Sequence, residues 1–262
     1  MSKARGVATS NGAWVQRDGL IVSPMLSSLG LVAGFTTKAQ GSMAGSHHPL
    51  DEQAKNRARL AAALGFSEVT RTKQVHGRDV VRVDKQVEPW PVADGQWTDR
   101  AGVLLGVAAA DCVPILVADP DGAIGVAHAG WEGTSLRVAR ALIETMVGAG
   151  ASRERLVASL GPSIGPCCYV IDEGRAATIE GRIGADALVR RDGRVVFDLW
   201  RANAEQLRDA GVSRVETSGL CTRSGGADLW SYRGRDANGK YGTQLGFLGR
   251  RGGPRQASEA SA

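Results

Sequence analysis

The chain has 262 residues, 43% of them hydrophobic and 23% charged, which suits an ordinary globular protein built as one large domain or two small ones. Its net charge of +5 leaves room for an anionic partner, although Lys3, Arg5, Arg250, Arg251 and Arg255 place part of that charge at the ends. Aromatics reach only 5% and no RNA- or DNA-binding signature accompanies the charge, so a nucleic-acid partner is not expected and a pocket for an anionic small molecule fits as well. No segment reaches the roughly 18 uninterrupted apolar residues of a membrane span. Leu20 to Phe35 comes nearest, but Ser23, Pro24, Ser27 and Ser28 interrupt it, and it reads as a first β-hairpin rather than a signal peptide. Cys112, Cys167, Cys168 and Cys221 form neither a secreted disulfide framework nor a C-x-x-C motif, so a reducing cytoplasm is expected.

Further elements follow in chain order. Residues 51–64 predict a helix with Ala54, Leu60, Ala63 and Leu64 apolar, and Val80 to Val83 a strand. Gly102 to Ala110 and Cys112 to Ala118 are Val- and Leu-rich runs of strand length that suit burial on both faces. Asp119-Pro120-Asp121-Gly122 signals a turn, after which Ala123 to Ala129 resumes as a strand. A helix is predicted from about Thr134 to Val147, closed by Gly148 and Gly150. Leu156 to Leu160 reads as a strand, Asp198 as the cap of a helix ending at Gly211, and Ser213 to Ser218 as a late strand. Without a regular βαβ rhythm, the mixture predicts a single α+β domain over residues 20–249, with a flexible segment at 1–19 and a disordered basic tail at 250–262.

Chemistry concentrates in three segments: Gln74-Val75-His76-Gly77, Ala110-Asp111-Cys112-Val113-Pro114 and Ala127-His128-Ala129-Gly130-Trp131. Histidine and cysteine are the donors zinc prefers, and three protein ligands with an open fourth position make a catalytic rather than a structural site. Cys112 and His128 lie on neighbouring predicted strands joined by a tight turn, so their convergence is easy. Each also has a bland reading, a hydrogen-bonded core histidine or an inert buried cysteine. Cys112 could otherwise act as a nucleophile, a role zinc ligation would consume.

These segments, with Gly161-Pro162-Ser163-Ile164-Gly165-Pro166-Cys167-Cys168-Tyr169 and Cys221-Thr222, resemble the YfiH family from about Gly34 to Phe247. Its members are described as laccase-domain proteins, polyphenol oxidases or purine nucleoside phosphorylases. The resemblance implies a layered α/β/β/α fold with mixed sheets and one zinc held by His76, Cys112 and His128. It also implies phosphorolysis of adenosine, inosine and methylthioadenosine, with deamination of adenosine as a further activity. The substrates expected are therefore a nucleoside and phosphate, acted on by a monomer.

Around the donors, Lys38, Arg57 and Arg233 are candidates to hold the phosphate, since a guanidinium grips an anion bidentately. Trp131 is expected at the substrate, and Asp111 to orient a ligand or move a proton, though it could equally cap a turn. Cys167 and Cys168 could line the pocket, but packing is the stronger expectation. The chain departs from the family pattern at Lys38, at Glu132 where arginine is usual, and in the stretched Tyr232-Arg233-Gly234-Arg235-Asp236. Three other readings stand beside phosphorolysis. A zinc amidase editing peptidoglycan precursors would use the same donors, and an inactive binding protein would have lost activity through Lys38 and Glu132. A multicopper oxidase would need more imidazoles than the four histidines present, so copper is disfavoured.

Overall fold

The computed structural model describes residues 5–7, 14–226 and 228–252. In chain order its elements are β1 (Arg5–Val7), β2 (Trp14–Arg17), β3 (Leu20–Val22), α1 (Pro24–Ser28), β4 (Val32–Phe35), α2 (Leu50–Leu64), β5 (Val69–Thr70), β6 (Val80–Arg82), β7 (Gly95–Thr98) and β8 (Leu104–Ala109). There follow β9 (Val113–Ala118), β10 (Ile124–Ala129), α3 (Trp131–Ser135), α4 (Val138–Gly148), β11 (Val157–Leu160), β12 (Val170–Ile171), α5 (Glu173–Ile183), β13 (Leu188–Arg191), β14 (Arg194–Phe197), α6 (Leu199–Asp209), β15 (Arg214–Thr217) and β16 (Gln244–Gly249).

One sheet has the order β1-β2-β3-β4-β16-β8-β5 and a second β15-β11-β9-β10-β7-β6; both mix parallel and antiparallel pairs. A small sheet, β12-β14-β13, stands apart from them. The two large sheets lie face to face. Leu105 and Val107 of one join Leu116, Ala118, Ile124 and Val126 of the other in a single buried cluster. The alternate positions point outward: Val113, Ile115 and Val117 pack with Leu142 of α4 and Leu207 of α6, and Leu104 and Ala108 pack with Leu60 and Ala61 of α2. Helix, sheet, sheet, helix is therefore the layer order. It explains why β8, β9 and β10 are buried at every position and read as continuous apolar runs rather than as alternation. No helix among the described residues is long and apolar enough to cross a membrane.

Several expectations change. The helix foreseen from Thr134 to Val147 is two helices, broken at Arg137, whose backbone is left-handed at φ 65°. The break is stabilised from α6: Asn203 Nδ2 donates to Thr134 Oγ1 at 2.9 Å and Gln206 Nε2 to the Thr134 carbonyl at 2.8 Å. The first hairpin exists as β3–β4, but α1 is inserted between its strands, with Ser23 Oγ capping the helix at the Leu26 N–H. Ordered structure begins before residue 20, because β2 pairs with β3 and Trp14 is 1% exposed in the inter-sheet core. Residues 1–4 and 8–13 of the expected flexible segment lie outside the described residues. At the other end, the Arg250 guanidinium donates to the carbonyls of Asp119, Pro120 and Gly122, so the expected tail does not begin there. Residues 253–262 lie outside the described residues.

Candidate metal centre and its cavity

The antiparallel register of β9 and β10 sets His128 opposite Pro114 and Ala129 opposite Val113. The next residues outward, Cys112 and Gly130, therefore meet at the strand ends. A methyl on Gly130 would fall 2.8 Å from Cys112 Sγ and 3.2 Å from His76 Cδ2, so only glycine leaves the donors their space. His76 comes from the loop between β5 and β6 and has φ 62°; Asp111, just before the cysteine, has φ 81°. Both are non-glycine residues in the left-handed region, which the surrounding bonds must hold in place.

Those bonds are explicit. Gln74 reaches the edge of β8 like an extra ladder rung, its Nε2 donating to the Ala108 carbonyl at 2.8 Å and its Oε1 accepting from the Ala108 N–H at 2.9 Å. Asp94, 2% exposed, accepts from the main-chain N–H groups of Val75, His76 and Gly77 at 3.0, 2.9 and 2.7 Å. The same carboxylate meets His128 Nδ1 at 2.9 Å, which turns the other ring nitrogen, Nε2, toward Cys112. The result is a compact donor set: the His76, Cys112 and His128 ligand atoms lie within 4.8 Å of one another. The two rings stand edge to face with centroids 4.8 Å apart. Burial pushes the Cys112 thiol up, but His128 and His76 beside it bring it down to about 6, which favours the thiolate that a metal requires. Burial likewise pushes the His128 imidazole down, and Cys112 and Asp94 outweigh it to hold it above its ordinary value. Two imidazoles and a thiol, with one ring fixed by a carboxylate behind it, form a donor set that fits a metal ion.

The set opens on a cavity of about 660 Å³. Trp131, Tyr169, Tyr232 and Tyr241 supply aromatic surface there, and Arg71, Lys73, Arg175 and Arg233 supply positive charge. Arg71 is only 8% exposed, lies over the Trp90 ring at 4.2 Å from its centroid, and keeps an Nε with no hydrogen-bond partner among the described residues. Burial and the neighbouring Arg57 lower its guanidinium to about 10, which still leaves it charged at neutral pH.

The expected site residues divide. His76, Cys112, His128, Asp111, Trp131 and Arg233 line the cavity. Asp111, however, is committed to structure: Oδ1 accepts from Thr222 Oγ1 at 2.6 Å and Oδ2 from the Arg233 N–H at 2.7 Å. Arg233 lies over Tyr169 at 5.1 Å and donates to the Val170 carbonyl at 3.0 Å. Arg57 does not line the cavity; its guanidinium donates to the Met43 carbonyl at 2.7 Å. Lys38 lies over Trp230 in a neighbouring cavity of about 450 Å³, together with His47 and His48. Glu132, in the first turn of α3, does not line the main cavity either. Arg175 does, at 4.8 Å over the Trp131 ring. Asp94, Gln74, Arg71 and Arg175 had no role assigned from sequence. Asp94 left the clearest trace, as a lone carboxylate opening the buried run Gly95–Thr98.

A sequence model of the family described as "Multi-copper polyphenol oxidoreductase laccase" matches residues 33–251. The chain belongs to this laccase-like family. Within it, the chain is 40% identical over 249 residues to a purine nucleoside phosphorylase of Deinococcus radiodurans, covering 90% of this chain and 95% of that relative. It is 37% identical over 255 residues to the purine nucleoside phosphorylase YlmD of Geobacillus stearothermophilus, covering 85% of this chain and 91% of the relative. The crystal structure of YlmD from Geobacillus stearothermophilus matches the fold with a TM-score of 0.78 at 32% identity, over 89% of this chain and 97% of that one. YfiH from Bacillus licheniformis matches with a TM-score of 0.80 at 25% identity, over 90% of this chain and 97% of that one. The resemblance to the laccase-like YfiH proteins, first carried by five short motifs, is thus a property of the whole domain.

Proposed function

We propose that this chain is a zinc-dependent purine nucleoside phosphorylase. The observation that carries the reading is the meeting, in one cavity, of the His76–Cys112–His128 donor set, a group of aromatic rings and the buried Arg71, whose Nε has no hydrogen-bond partner among the described residues. The phosphorylase names of relatives at 40% and 37% identity support it.

Each part has a task in phosphorolysis. A purine is flat and stacks on aromatic faces, for which Trp131, Tyr169, Tyr232 and Tyr241 are available. Phosphate needs cations with directed donors, and Arg71 presents a guanidinium held over the Trp90 ring. A hydrogen phosphate oxygen attacks the anomeric carbon, the C–N glycosidic bond breaks, its electron pair leaves with the purine, and the proton carried by the phosphate ends on the departing base. Arg71, Lys73 and Arg175 hold the attacking anion, and Arg233 fixes the Tyr169 wall. His76, Cys112 and His128 would hold the ion, and zinc bound there supplies Lewis-acid chemistry to the cavity. Asp94 and Gln74 are positioning residues for that set, and Asp111 positions Arg233 through its main chain. Deamination of adenosine would draw on the same donor set without the phosphate subsite.

The test is base release from adenosine, inosine and methylthioadenosine by purified protein, with and without phosphate. Free base and a pentose 1-phosphate should accumulate only when phosphate is present. Base release that ignores phosphate, or none from any of the three, overturns the reading.

A further inference from the structure

Behind one wall of the cavity lies a second group of donors with no part in the reaction above. The turn Gly161–Tyr169 carries Cys167 and Cys168, and the segment after β15 carries Cys221. Main-chain bonds bind these segments together: the Ser163 N–H donates to the Leu220 carbonyl at 3.2 Å and the Thr222 N–H to the Ser163 carbonyl at 3.0 Å. The three thiol sulfurs lie within 4.8 Å of one another, and those of Cys167 and Cys168 are 3.6 Å apart. Two sulfurs bound to one zinc at about 2.3 Å stand roughly 3.8 Å apart, so little movement is needed to receive an ion. Ile164 and Tyr169 of the same turn face the main cavity, whereas none of the three cysteines lines it.

Packing alone does not account for the cluster. Cysteine packs as a small hydrophobe when buried, but Cys167 is exposed and Cys168 is only partly buried at the edge of the core, so the group runs from the core at Cys221 to the solvent. A disulfide between adjacent Cys167 and Cys168 would be strained. The surroundings of Cys221 also suit a thiolate, whereas burial and the two neighbouring cysteines push the Cys167 thiol up in the absence of an ion. The Gly165 N–H donates to Cys221 Sγ at 3.3 Å, and the Ser224 hydroxyl stands 3.4 Å from Cys167 Sγ. Burial pushes the Cys221 thiol up, but the Ser224 hydroxyl and the Gly165, Ser224 and Arg223 N–H groups bring it down to about 7.

We propose that Cys167, Cys168 and Cys221 form a second metal site, selective for a thiophilic cation, Zn2+ or Cu(I). All three donors are sulfur, which excludes the harder ions. Three thiolates leave one position on the exposed Cys167 side, where the Ser224 hydroxyl or water completes a zinc sphere. Binding exchanges the thiol protons for the cation and releases them to solvent, with no change of oxidation state.

Reduced, metal-free full-length chain is titrated with zinc sulfate against a chromophoric chelator, and in a parallel arm with Cu(I) presented by a Cu(I)-specific chelator. Wild type should take up about two zinc ions, and the H76A/C112S and C167S/C168S variants about one each. Co2+ added to H76A/C112S should give the near-ultraviolet sulfur-to-cobalt band of several thiolates, and C167S alone should weaken it. The two arms identify the preferred cation. Cys167 is exposed, so C167S keeps the test decisive where Cys221→Ser fails to fold. Unchanged zinc stoichiometry and affinity in C167S and C167S/C168S, or no ion bound by H76A/C112S in either arm, overturns the proposal.

Discussion

Asp94 and His128 face each other at 2.9 Å inside the protein, and the Asp94 oxygen that meets the His128 ring also accepts the His76 main-chain N–H at 2.9 Å. One carboxylate therefore orients two of the three donors, one by its ring and the other by its loop. Outer partners of this kind are worth about 10–100-fold in metal affinity. Asp94→Asn should weaken zinc binding by that order in a chelator competition. An unchanged affinity in the folded variant would show the donors to be held by other means.

Cys112→Ser and His76→Ala should each abolish phosphorolysis and leave the far-ultraviolet circular dichroism spectrum near wild type. The reason is location: Cys112 sits just before β9, whose core is filled by Ile115, Leu116 and Val117, and His76 lies in the loop between β5 and β6, outside the packed strands. Global unfolding of both variants would assign the ion a structural role instead.

Gly130→Ala gives a more selective probe. The backbone there, φ −77° and ψ −176°, suits alanine, so the fold should tolerate the change and Tm should move little. The added methyl nevertheless meets Cys112 Sγ at 2.8 Å and His76 Cδ2 at 3.2 Å. Zinc content should fall well below that of wild type while Tm holds, which elemental analysis and calorimetry on one preparation would establish. A fully loaded variant would contradict the assigned donor geometry.

Arg71→Gln should raise the KM for phosphate about ten- to a hundredfold, as expected for losing a charge-assisted bond of about 1.5–3 kcal/mol. Arg57→Gln should change it much less, because Arg57 does not line the cavity and serves the Met43 carbonyl. Equal effects of the two substitutions would remove Arg71 from the phosphate subsite.

Glu132→Arg should leave the phosphate response alone. The carboxylate lies in the first turn of α3 and outside the cavity lining, so its interaction with the helix end amounts to about 0.3–1 kcal/mol of stability at most. A fall in the KM for phosphate would show that this side chain reaches the pocket after all.

The three donors were legible in the sequence because each sits in a short motif beside glycine or at a strand end, and local chain geometry brings Cys112 and His128 together. Asp94 was not legible. Its partners are 17 to 19 residues away on one side and 34 on the other, and the pairing of β7 with β6 and with β10 unites them. Cations divided for a similar reason. Arg71 stands in an unremarkable loop sequence and acquires its setting from Trp90, whereas Lys38 and Arg57 lie in conspicuous segments that face elsewhere. Helix periodicity carried through the Arg137 break because the α6 residues that stabilise it, Asn203 and Gln206, lie more than 60 residues downstream.

Asp111 joins the strand-end cysteine to Thr222 and to the main chain of Arg233, 111 and 122 residues later in the chain. That span has a consequence for biogenesis. A nascent chain already contains all three donors once His128 has been made, yet the turn that aims Cys112 lacks its tether until residue 233 has emerged. The ion would then load onto a finished domain instead of seeding its folding, the reverse of a zinc finger. Stripping the metal with a chelator should leave a folded protein that reloads without refolding, and truncation before Thr222 should yield a chain holding all three donors but unable to retain zinc.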